Sequence, residues 1–233
     1  MNLRMELQVI AHIESDFPDK FGIPRQSGLV NSLVSRIVFE PKFHNVDAIR
    51  GIEEFSHLWL LWHFSETDRK GEWSPTVRPP RLGGNKRVGV FATRSPFRPN
   101  PIGLSSVRLE RVEMEEKLGP VLYVSGADLM NGTPIFDIKP YLAYVDSHSD
   151  ASDGFALNTK EGVLDVVFPE QLLLKIAEEK REALKEVLKQ DPRPQYQTDE
   201  KRIYKMKFAQ WEVWFRVEEN ILIVCDVLDV SIL

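Results

Sequence analysis

Short runs of alternating apolar and polar residues dominate the first two thirds of the chain. Alternation with a period of two is typical of strands that bury one face. The most apolar run, HLWLLWHF, predicts a buried strand. The predicted strands are Leu7–Ile13, Arg36–Phe39, His57–Phe64, Val88–Thr93, Ile102–Val112, Val121–Ala127 and Ile135–Val145.

The last third has a different pattern. Apolar residues recur at helical spacing from Pro169 to Gln190 and predict one amphipathic helix. Alternating apolar residues on both sides of 218–220 then predict a hairpin. The segment DSHSDASDGFALN is small, polar and acidic, as domain boundaries often are. We therefore expect domains at 1–146 and 159–233, joined by a linker at 147–158.

These patterns predict a mainly β protein with a small α+β C-terminal domain. The strands of the first half follow one another with few intervening helices, which favours an antiparallel barrel or sandwich over a parallel α/β sheet. One short helix is predicted there, at Asp47–Phe55, with Asn45 as its N-cap.

Composition narrows the class of protein. Hydrophobic residues make up 42% of the chain, charged residues 28%, and the net charge is −5. No apolar run reaches the ~18 residues of a membrane helix, and the N-terminus does not have the pattern of a signal peptide. We expect no membrane partner and a cytoplasmic location. The single cysteine, Cys225, excludes an internal disulfide and is predicted to be buried.

Charge is concentrated in the stretch Arg78–Arg111. It holds eight Lys or Arg and one acidic residue, so its net charge is +7 in a chain of −5. It also holds five of the fifteen prolines, which stiffen a loop because each fixes one backbone angle. A stiff, basic loop is suited to binding a polyanion, although a solvated surface loop is an alternative.

Common catalytic and nucleotide-binding motifs are absent. The chain has no G-x-G-x-x-G after a strand, no G-x-x-x-x-G-K-[ST] and no G-x-S-x-G. His57 and His63 have an even spacing, so they could share one face of a strand and bind a metal in a hydrolase. Neither an H-x-x-x-H motif nor a cysteine cluster accompanies them, so packed histidines are the better interpretation and no metal is predicted.

Four short segments carry groups that could bind a ligand. Three of them combine polar side chains with a turn or a strand end: GIPRQSG at 22–28, WHFSET at 62–67 and GADLMNGTPIFDIKPY at 126–141. The fourth lies in the basic stretch, where two phenylalanines, Phe91 and Phe97, alternate with Arg94 and Arg98. Such a mixture suits nucleobases and phosphates, but Phe91 is expected to be a core residue of its strand. From the residues alone we predict a β-rich protein that binds a nucleotide or RNA.

The same segments resemble a known family. The run VRPPRLGGNKRVGVFATRSPFRPNPIGLS, with GIPRQSG before it and NGTPIFDIKPY after it, is similar to the TsaA/YaeB/TrmO family, and DPRPQY at 191–196 resembles that family's second-domain motif. The resemblance implies a non-Rossmann β-barrel methyltransferase, a homodimer that uses S-adenosylmethionine. It implies methylation of N6 of threonylcarbamoyladenosine, next to the anticodon of threonine tRNA.

Site residues follow from this resemblance. The family's cofactor pattern falls on Pro24, Arg25, Gln26, Ser65, Glu66, Arg94, Leu104, Asp128, Leu129, Met130 and Asn131. Contacts with the tRNA anticodon loop are expected from Arg78, Arg81, Arg98, Arg193 and Tyr196. Either Asp137 or Asp128 is expected to take the proton of the acceptor nitrogen. The alternatives are a non-catalytic RNA-binding module and the metal-dependent hydrolase above.

Overall fold

A computed structural model describes residues 6–67, 73–79, 86–159, 163–193, 199 and 201–231. Strands make up most of the regular secondary structure of these residues. The strands are β1 Ala11–Glu14, β2 Val34–Phe39, β3 His57–His63, β4 Thr76–Val77, β5 Val88–Gly89, β6 Ile102–Glu115, β7 Gly119–Ser125, β8 Pro134–Pro140, β9 Asp165–Val167, β10 Tyr204–Phe208, β11 Trp211–Glu218 and β12 Ile221–Asp229. The α-helices are α1 Ala143–Asp146, α2 Glu170–Leu173 and α3 Glu178–Lys189. Short 3-10 helices span Pro41–Phe43, Val46–Ile49, Ile52–Glu54, Ser65–Thr67, Val90–Ala92 and Gly154–Thr159.

Six strands close into a ring in the order β1, β2, β7, β6, β3, β8 and back to β1. Every neighbouring pair in the ring is antiparallel. The alternation that predicted β3 is visible in its burial, because Leu58, Leu60 and Trp62 face the interior while the residues between them face outward. The expectation of a mainly β protein with few helices is confirmed.

A second sheet forms from the C-terminal strands in the order β10, β11, β12, β9. The predicted hairpin is confirmed as β11 and β12, whereas β9 and β10 were not predicted. β9 pairs with β12 in parallel, and α3 packs its buried residues Ala183, Leu184, Val187 and Leu188 into the core of this sheet.

The loop between β1 and β2 belongs to the second core as well as to the ring. Phe17, Val30 and Leu33 are each at most 2% exposed and pack with the C-terminal strands and α3. Asp16 in the same loop accepts two hydrogen bonds from Lys180 Nζ, at 2.8 and 2.6 Å. The expected domain division stays a prediction, but part of the N-terminal half is packed within the C-terminal core.

The single helix predicted from Pro169 to Gln190 is wrong, since α2 ends at Leu173 and α3 begins at Glu178. Ala177 has extended backbone angles between the two helices. At the break Ile176 is buried, and Lys175 reaches across to Asp226 and the carbonyl of Val227 in β12. Tertiary contacts therefore override the helical periodicity at this point.

Other predictions also differ from the structure. The helix at Asp47–Phe55 is instead two 3-10 turns separated by Gly51 at a φ of 82°, although Asn45 does cap the first by accepting from the Asp47 N–H. Cys225 is exposed rather than buried. Phe91 is 71% exposed rather than in the core, because the strand ends at Gly89 and a 3-10 turn follows.

Within the described residues, no helix is long and apolar enough to cross a membrane. No cluster of three or more His, Cys, Asp or Glu side chains in that part of the chain could hold a metal ion. His57 and His63 do share the outward face of β3, but six residues of strand separate them by about 20 Å. That distance is too long for one metal ion to bind both histidines.

Gly103 allows Trp62 to lie flat against β6, because a Cβ at Gly103 would come 2.2 Å from the Trp62 ring. We expect Gly103→Ala to lower the free energy of unfolding by about 1–3 kcal/mol through overpacking. Gly89→Ala is the matched control, since a Cβ there meets nothing within 4 Å. Chemical denaturation of both variants tests this; equal stabilities would contradict the packing argument.

Candidate active site

A wide cleft of about 1910 Å³ lies where the β1–β2 loop, the basic stretch and the end of α3 meet. Its lining residues come from the segments 20–26, 73–79, 87–101, 152–156 and 187–193. Seven residues that the resemblance singled out are among them: Pro24, Arg25, Gln26, Arg78, Arg94, Arg98 and Arg193. Segments far apart in sequence therefore contribute to one site.

Gln26 and Arg94 meet directly at the cleft, where Arg94 Nη1 donates a hydrogen bond to Gln26 Oε1. The loop that carries Gln26 is held against β10 at Gly22, which has a φ of +98° and whose Cβ, if present, would meet Met206 Sδ at 2.3 Å. Only glycine fits this position, both for its backbone angle and for the close contact. The packing of the second sheet therefore fixes the location of Gln26.

Arg25 connects the same loop to the segment after α3. Its Nη2 donates to the backbone carbonyls of Asp191, at 3.3 Å, and of Arg193, at 3.1 Å. Asp191 has a φ of +48° and turns the chain after the helix. Its carboxylate accepts two hydrogen bonds from the Arg193 guanidinium, both at 2.8 Å. A bidentate pair of this kind is geometrically specific, so it orients the carbonyls that Arg25 contacts.

The arginines of the basic stretch are not equivalent. Arg98 Nη1 donates to the carbonyls of Thr93, at 2.7 Å, and of Ser95, at 3.5 Å, and so it holds the Pro-rich turn in shape. Arg78 is exposed at the cleft. Arg81 and Tyr196, which were also predicted to contact RNA, lie outside the described residues.

Asp128 follows β7 and is not itself among the residues that line the cleft, although it lies close enough to feel the charge of Arg94. It accepts a hydrogen bond of 2.6 Å from Ser105 Oγ, which in turn accepts one of 3.0 Å from Trp62 Nε1. Burial raises the pKa of the Asp128 carboxyl above its ordinary value, and the hydrogen bond from Ser105 and the charge of Arg94 only partly oppose that shift. Asp128 is therefore a carboxylate that holds a proton more readily than an exposed one.

The turn after Asp128 has a structural role. The Leu129 carbonyl accepts from Ser15 Oγ at 2.9 Å, and the Met130 carbonyl accepts from Thr133. Asn131 Oδ1 accepts from the Ser15 N–H at 3.1 Å, while its own N–H donates to the Phe17 carbonyl. These contacts fix the start of the β1–β2 loop. Leu129, Met130 and Asn131 do not line the described cleft.

Four other predicted residues also lie away from the cleft lining. Ser65 and Glu66 form a 3-10 turn, and the Glu66 carbonyl accepts from Lys20 Nζ at 2.6 Å. Leu104 is 56% exposed on the outer face of the ring. Asp137 lies opposite Leu61 in the neighbouring strand and pairs with Lys139 Nζ at 2.8 Å. That Ser65, Glu66 and Leu104 bind the cofactor stays a prediction, as does the role of Asp137 in taking the proton of the acceptor nitrogen.

Sequence reasoning missed two residues of the site. Trp73 lines the cleft and is half exposed, and its only signal was a large aromatic residue in a charged, turn-rich stretch. Asp191 was part of the DPRPQY motif but was not itself singled out. Its role depends on its side-chain pairing with Arg193 and on the Arg25 contact with its carbonyl, and the sequence shows neither.

Comparison with known proteins identifies the relatives of the chain. Residues 12–147 match the model of the tRNA-methyltransferase O N-terminal domain, and residues 161–230 match the TrmO C-terminal domain. A tRNA (adenine(37)-N6)-methyltransferase of Escherichia coli K12 is 43% identical in an alignment of 224 residues that covers 92% of this chain and 94% of that protein. One from Eikenella corrodens is 46% identical over 178 residues, covering 76% and 99%. A crystal structure of TrmO from Pseudomonas aeruginosa superimposes with a TM-score of 0.78 at 32% identity, covering 97% of this chain and 100% of that one.

The raised pKa of Asp128 predicts a pH-dependent stability. Because the folded state binds this proton more tightly than the unfolded state does, protonation of Asp128 adds to the free energy of unfolding. This contribution is fully present below the unfolded-state pKa of about 3.9 and is lost as pH rises through the higher folded-state pKa. Asp128→Asn keeps an oxygen that accepts from Ser105 but has no charge to desolvate. We expect its melting temperature, relative to the wild type, to increase with pH across this range in calorimetric scans.

Asp146→Asn is a control in which the pH dependence of stability should have the opposite sign. Hydrogen bonds from the Leu142 N–H and Trp59 Nε1 lower the pKa of the Asp146 carboxyl. Its contribution is present above the unfolded-state pKa and is lost as pH falls through the lower folded-state value. The relative melting temperature of Asp146→Asn should therefore decrease as pH rises, and parallel curves for the two variants would contradict the assignment for Asp128.

Proposed function

The chain belongs to the tRNA-methyltransferase O family, and from this membership we propose that it is an S-adenosylmethionine-dependent tRNA methyltransferase acting on N6 of adenosine 37. The more specific proposal is that the substrate base is threonylcarbamoyladenosine in threonine tRNA. One observation carries the proposal: the family-matching residues Gln26 and Arg94 meet in a cleft bordered by exposed arginine.

The groups near the cleft are chemically suited to S-adenosylmethionine. Arg94 and Arg25 can balance its carboxylate, Gln26 offers an amide, and the partly buried Asp128 offers negative charge for a cation. When bound, the cofactor supplies a methyl group from its sulfonium. The ring of strands would then be the non-Rossmann barrel domain that the resemblance implies.

The protein's own contribution is positioning and proton transfer. The Pro-rich turn and the Arg25 contacts hold the two sides of the cleft at a fixed distance, and alignment of two bound reactants supplies much of the rate of a displacement. The acceptor nitrogen is flanked by a carbonyl and must lose a proton. Of the two candidate carboxylates we propose Asp128, because its raised pKa favours taking a proton and Asp137 is paired with Lys139 on the outer face.

The anticodon loop is a suitable RNA partner because its bases are unpaired and can be turned outward without opening a duplex. Arg78, exposed at the cleft, is the described arginine best suited to meet a phosphate. Arg98 and Arg193 support the cleft through their contacts with protein groups, and their contribution to RNA binding would be added to that role. We propose the cytoplasm as the site of this activity, where tRNA is abundant.

We further propose that the chain forms a homodimer through the outer face of β3, β6 and β8. Leu104 projects from this face, and Trp59 Nε1 binds Asp146 of α1, the helix that carries the 84%-exposed Tyr144. Exposed apolar groups gathered on one face are typical of protein interfaces. A second copy covering this face would bring its own groups near Leu104 and Asp137, two predicted site residues that lie outside the cleft.

The activity is tested by nucleoside mass spectrometry of threonine tRNA incubated with the protein and S-adenosylmethionine. We expect a new methylated form of threonylcarbamoyladenosine and none on tRNA that lacks the threonylcarbamoyl group. Arg94→Ala should lower the rate about 10- to 100-fold by removing a charged hydrogen bond. Arg50→Ala, whose partner is the surface residue Asp47, is the control.

Two results of that experiment would contradict the proposal. Methylation of unmodified adenosine 37 would overturn the substrate but leave the reaction intact. RNA binding with no methylated product, on tRNA whose threonylcarbamoyl group is verified, would favour the non-catalytic RNA-binding module.

Sedimentation tests the dimer. We expect sedimentation of the wild type to give twice the 26.9-kDa mass of the chain. Leu104→Asp should shift the equilibrium toward the monomer because it would bury a charge in the interface. Met114→Asp is the matched control, since Met114 is 61% exposed near the far end of the same strand. A monomeric wild type, or equal dissociation of both variants, would rule out this interface.

A further inference from the structure

We propose that Trp73 and Phe91 form a platform on which one unpaired nucleobase of the RNA stacks. The inference rests on the proposed function and adds a base-binding subsite to it. Trp73 is 50% exposed and Phe91 71% exposed, both line the cleft, and their ring centroids are 6.0 Å apart at an interplanar angle of 37°. Aromatic side chains are usually stabilised by burial, so two neighbouring rings that stay exposed to solvent are typical of a ligand-binding site.

The backbone around the platform is built to present these rings. Val90 is fully buried and its N–H donates to the Pro75 carbonyl at 2.9 Å, which anchors the turn that carries Phe91. The Val90 carbonyl accepts from both the N–H and the hydroxyl of Thr93. Strands β4 and β5 pair Thr76 with Gly89, so the segments that carry the two rings are joined directly. The rings are therefore pre-positioned before any ligand arrives.

The charge around the platform favours a nucleotide chain. Residues 73–101 include six Lys or Arg and no Asp or Glu, and Arg78, Arg87, Arg94 and Arg98 line the same cleft. Two carboxylates of other segments, Asp153 and Asp191, also line it, and Asp191 is paired with Arg193. Proteins that bind single-stranded nucleic acid usually place arginines that bind phosphate beside aromatic rings that stack on the bases.

This chemistry points to a base of the RNA rather than to the adenine of S-adenosylmethionine. The cofactor has no phosphate and carries a sulfonium cation, so several arginines around its adenine would have no matching charge. The base would stack on the outward face of the platform. Insertion between the two rings would need a centroid separation of about 7 Å, twice the optimal contact distance, and the rings are closer than that.

The test measures the affinity of the anticodon stem-loop of threonine tRNA, together with copies in which each loop base in turn is replaced by an abasic site. We expect Phe91→Leu and Trp73→Leu each to weaken binding of the intact RNA by about tenfold or more, and Phe91→Tyr to bind like the wild type. For one abasic RNA the Phe91→Leu effect should disappear. Arg78→Ala should instead weaken binding of every RNA alike and reduce the dependence of affinity on salt.

Two controls separate the platform from other causes. Trp214→Leu removes an aromatic ring on the outer face of the second sheet, where Lys205 lies 3.7 Å from its centroid, and should leave RNA affinity unchanged. Affinity for S-adenosylmethionine, measured by calorimetry, and the melting temperature should be the same in Phe91→Leu as in the wild type.

The outcomes distinguish this inference from the proposed function. Unchanged RNA affinity in Phe91→Leu, or the same loss for all abasic RNAs, would overturn the platform even if the protein methylates tRNA. A loss of cofactor affinity in that variant would assign the rings to the cofactor's adenine and also overturn it. A base-dependent effect without methylation would support the platform and defeat only the proposed reaction, while a wild type that binds no RNA would defeat both.

Discussion

The packing of the β1–β2 loop into the C-terminal core is the constraint on which the candidate site depends. Phe17, Val30 and Leu33 are buried among residues of the second sheet and α3, although they connect two strands of the ring. Burying side chains of this size contributes about 1.5–3 kcal/mol each, so the loop is held as firmly as a strand. Gln26 and Arg25 are carried by this loop, and its anchoring determines where they lie.

Hydrogen bonds and ion pairs hold the β1–β2 loop in addition to its apolar packing. Lys180 of α3 pairs with Asp16 at the start of the loop, and Glu186 accepts from Ser32 near its end. Arg25 then reaches the carbonyls after α3, which Asp191 and Arg193 hold in place. The cleft is thus bounded by elements that are fixed to one another, which suits a reaction that depends on aligning two bound molecules.

The strand patterns were predictable because alternation reports directly which residues face a core, as β3 and the hairpin of β11 and β12 illustrate. Prediction failed where distant contacts outweighed local pattern. The helix breaks before Glu178, where Lys175 binds Asp226 and the Val227 carbonyl of β12. Phe91 is exposed because Val90, its neighbour, is the residue that the 3-10 turn buries. Gly103 gave no local signal at all, since its importance lies in the Trp62 ring across the strand pair.

The amino-acid sequence by itself determined the strand-rich character, the stiff basic stretch and the motifs that resemble one methyltransferase family, because these are properties of local order and residue type. Only the tertiary structure decided which residues meet. Gln26 and Arg94, 68 positions apart, share a hydrogen bond, and Trp73 and Phe91 share a surface. The first contact depends on the packing of the β1–β2 loop into the C-terminal core and the second on the pairing of β4 with β5, and no local pattern specifies either.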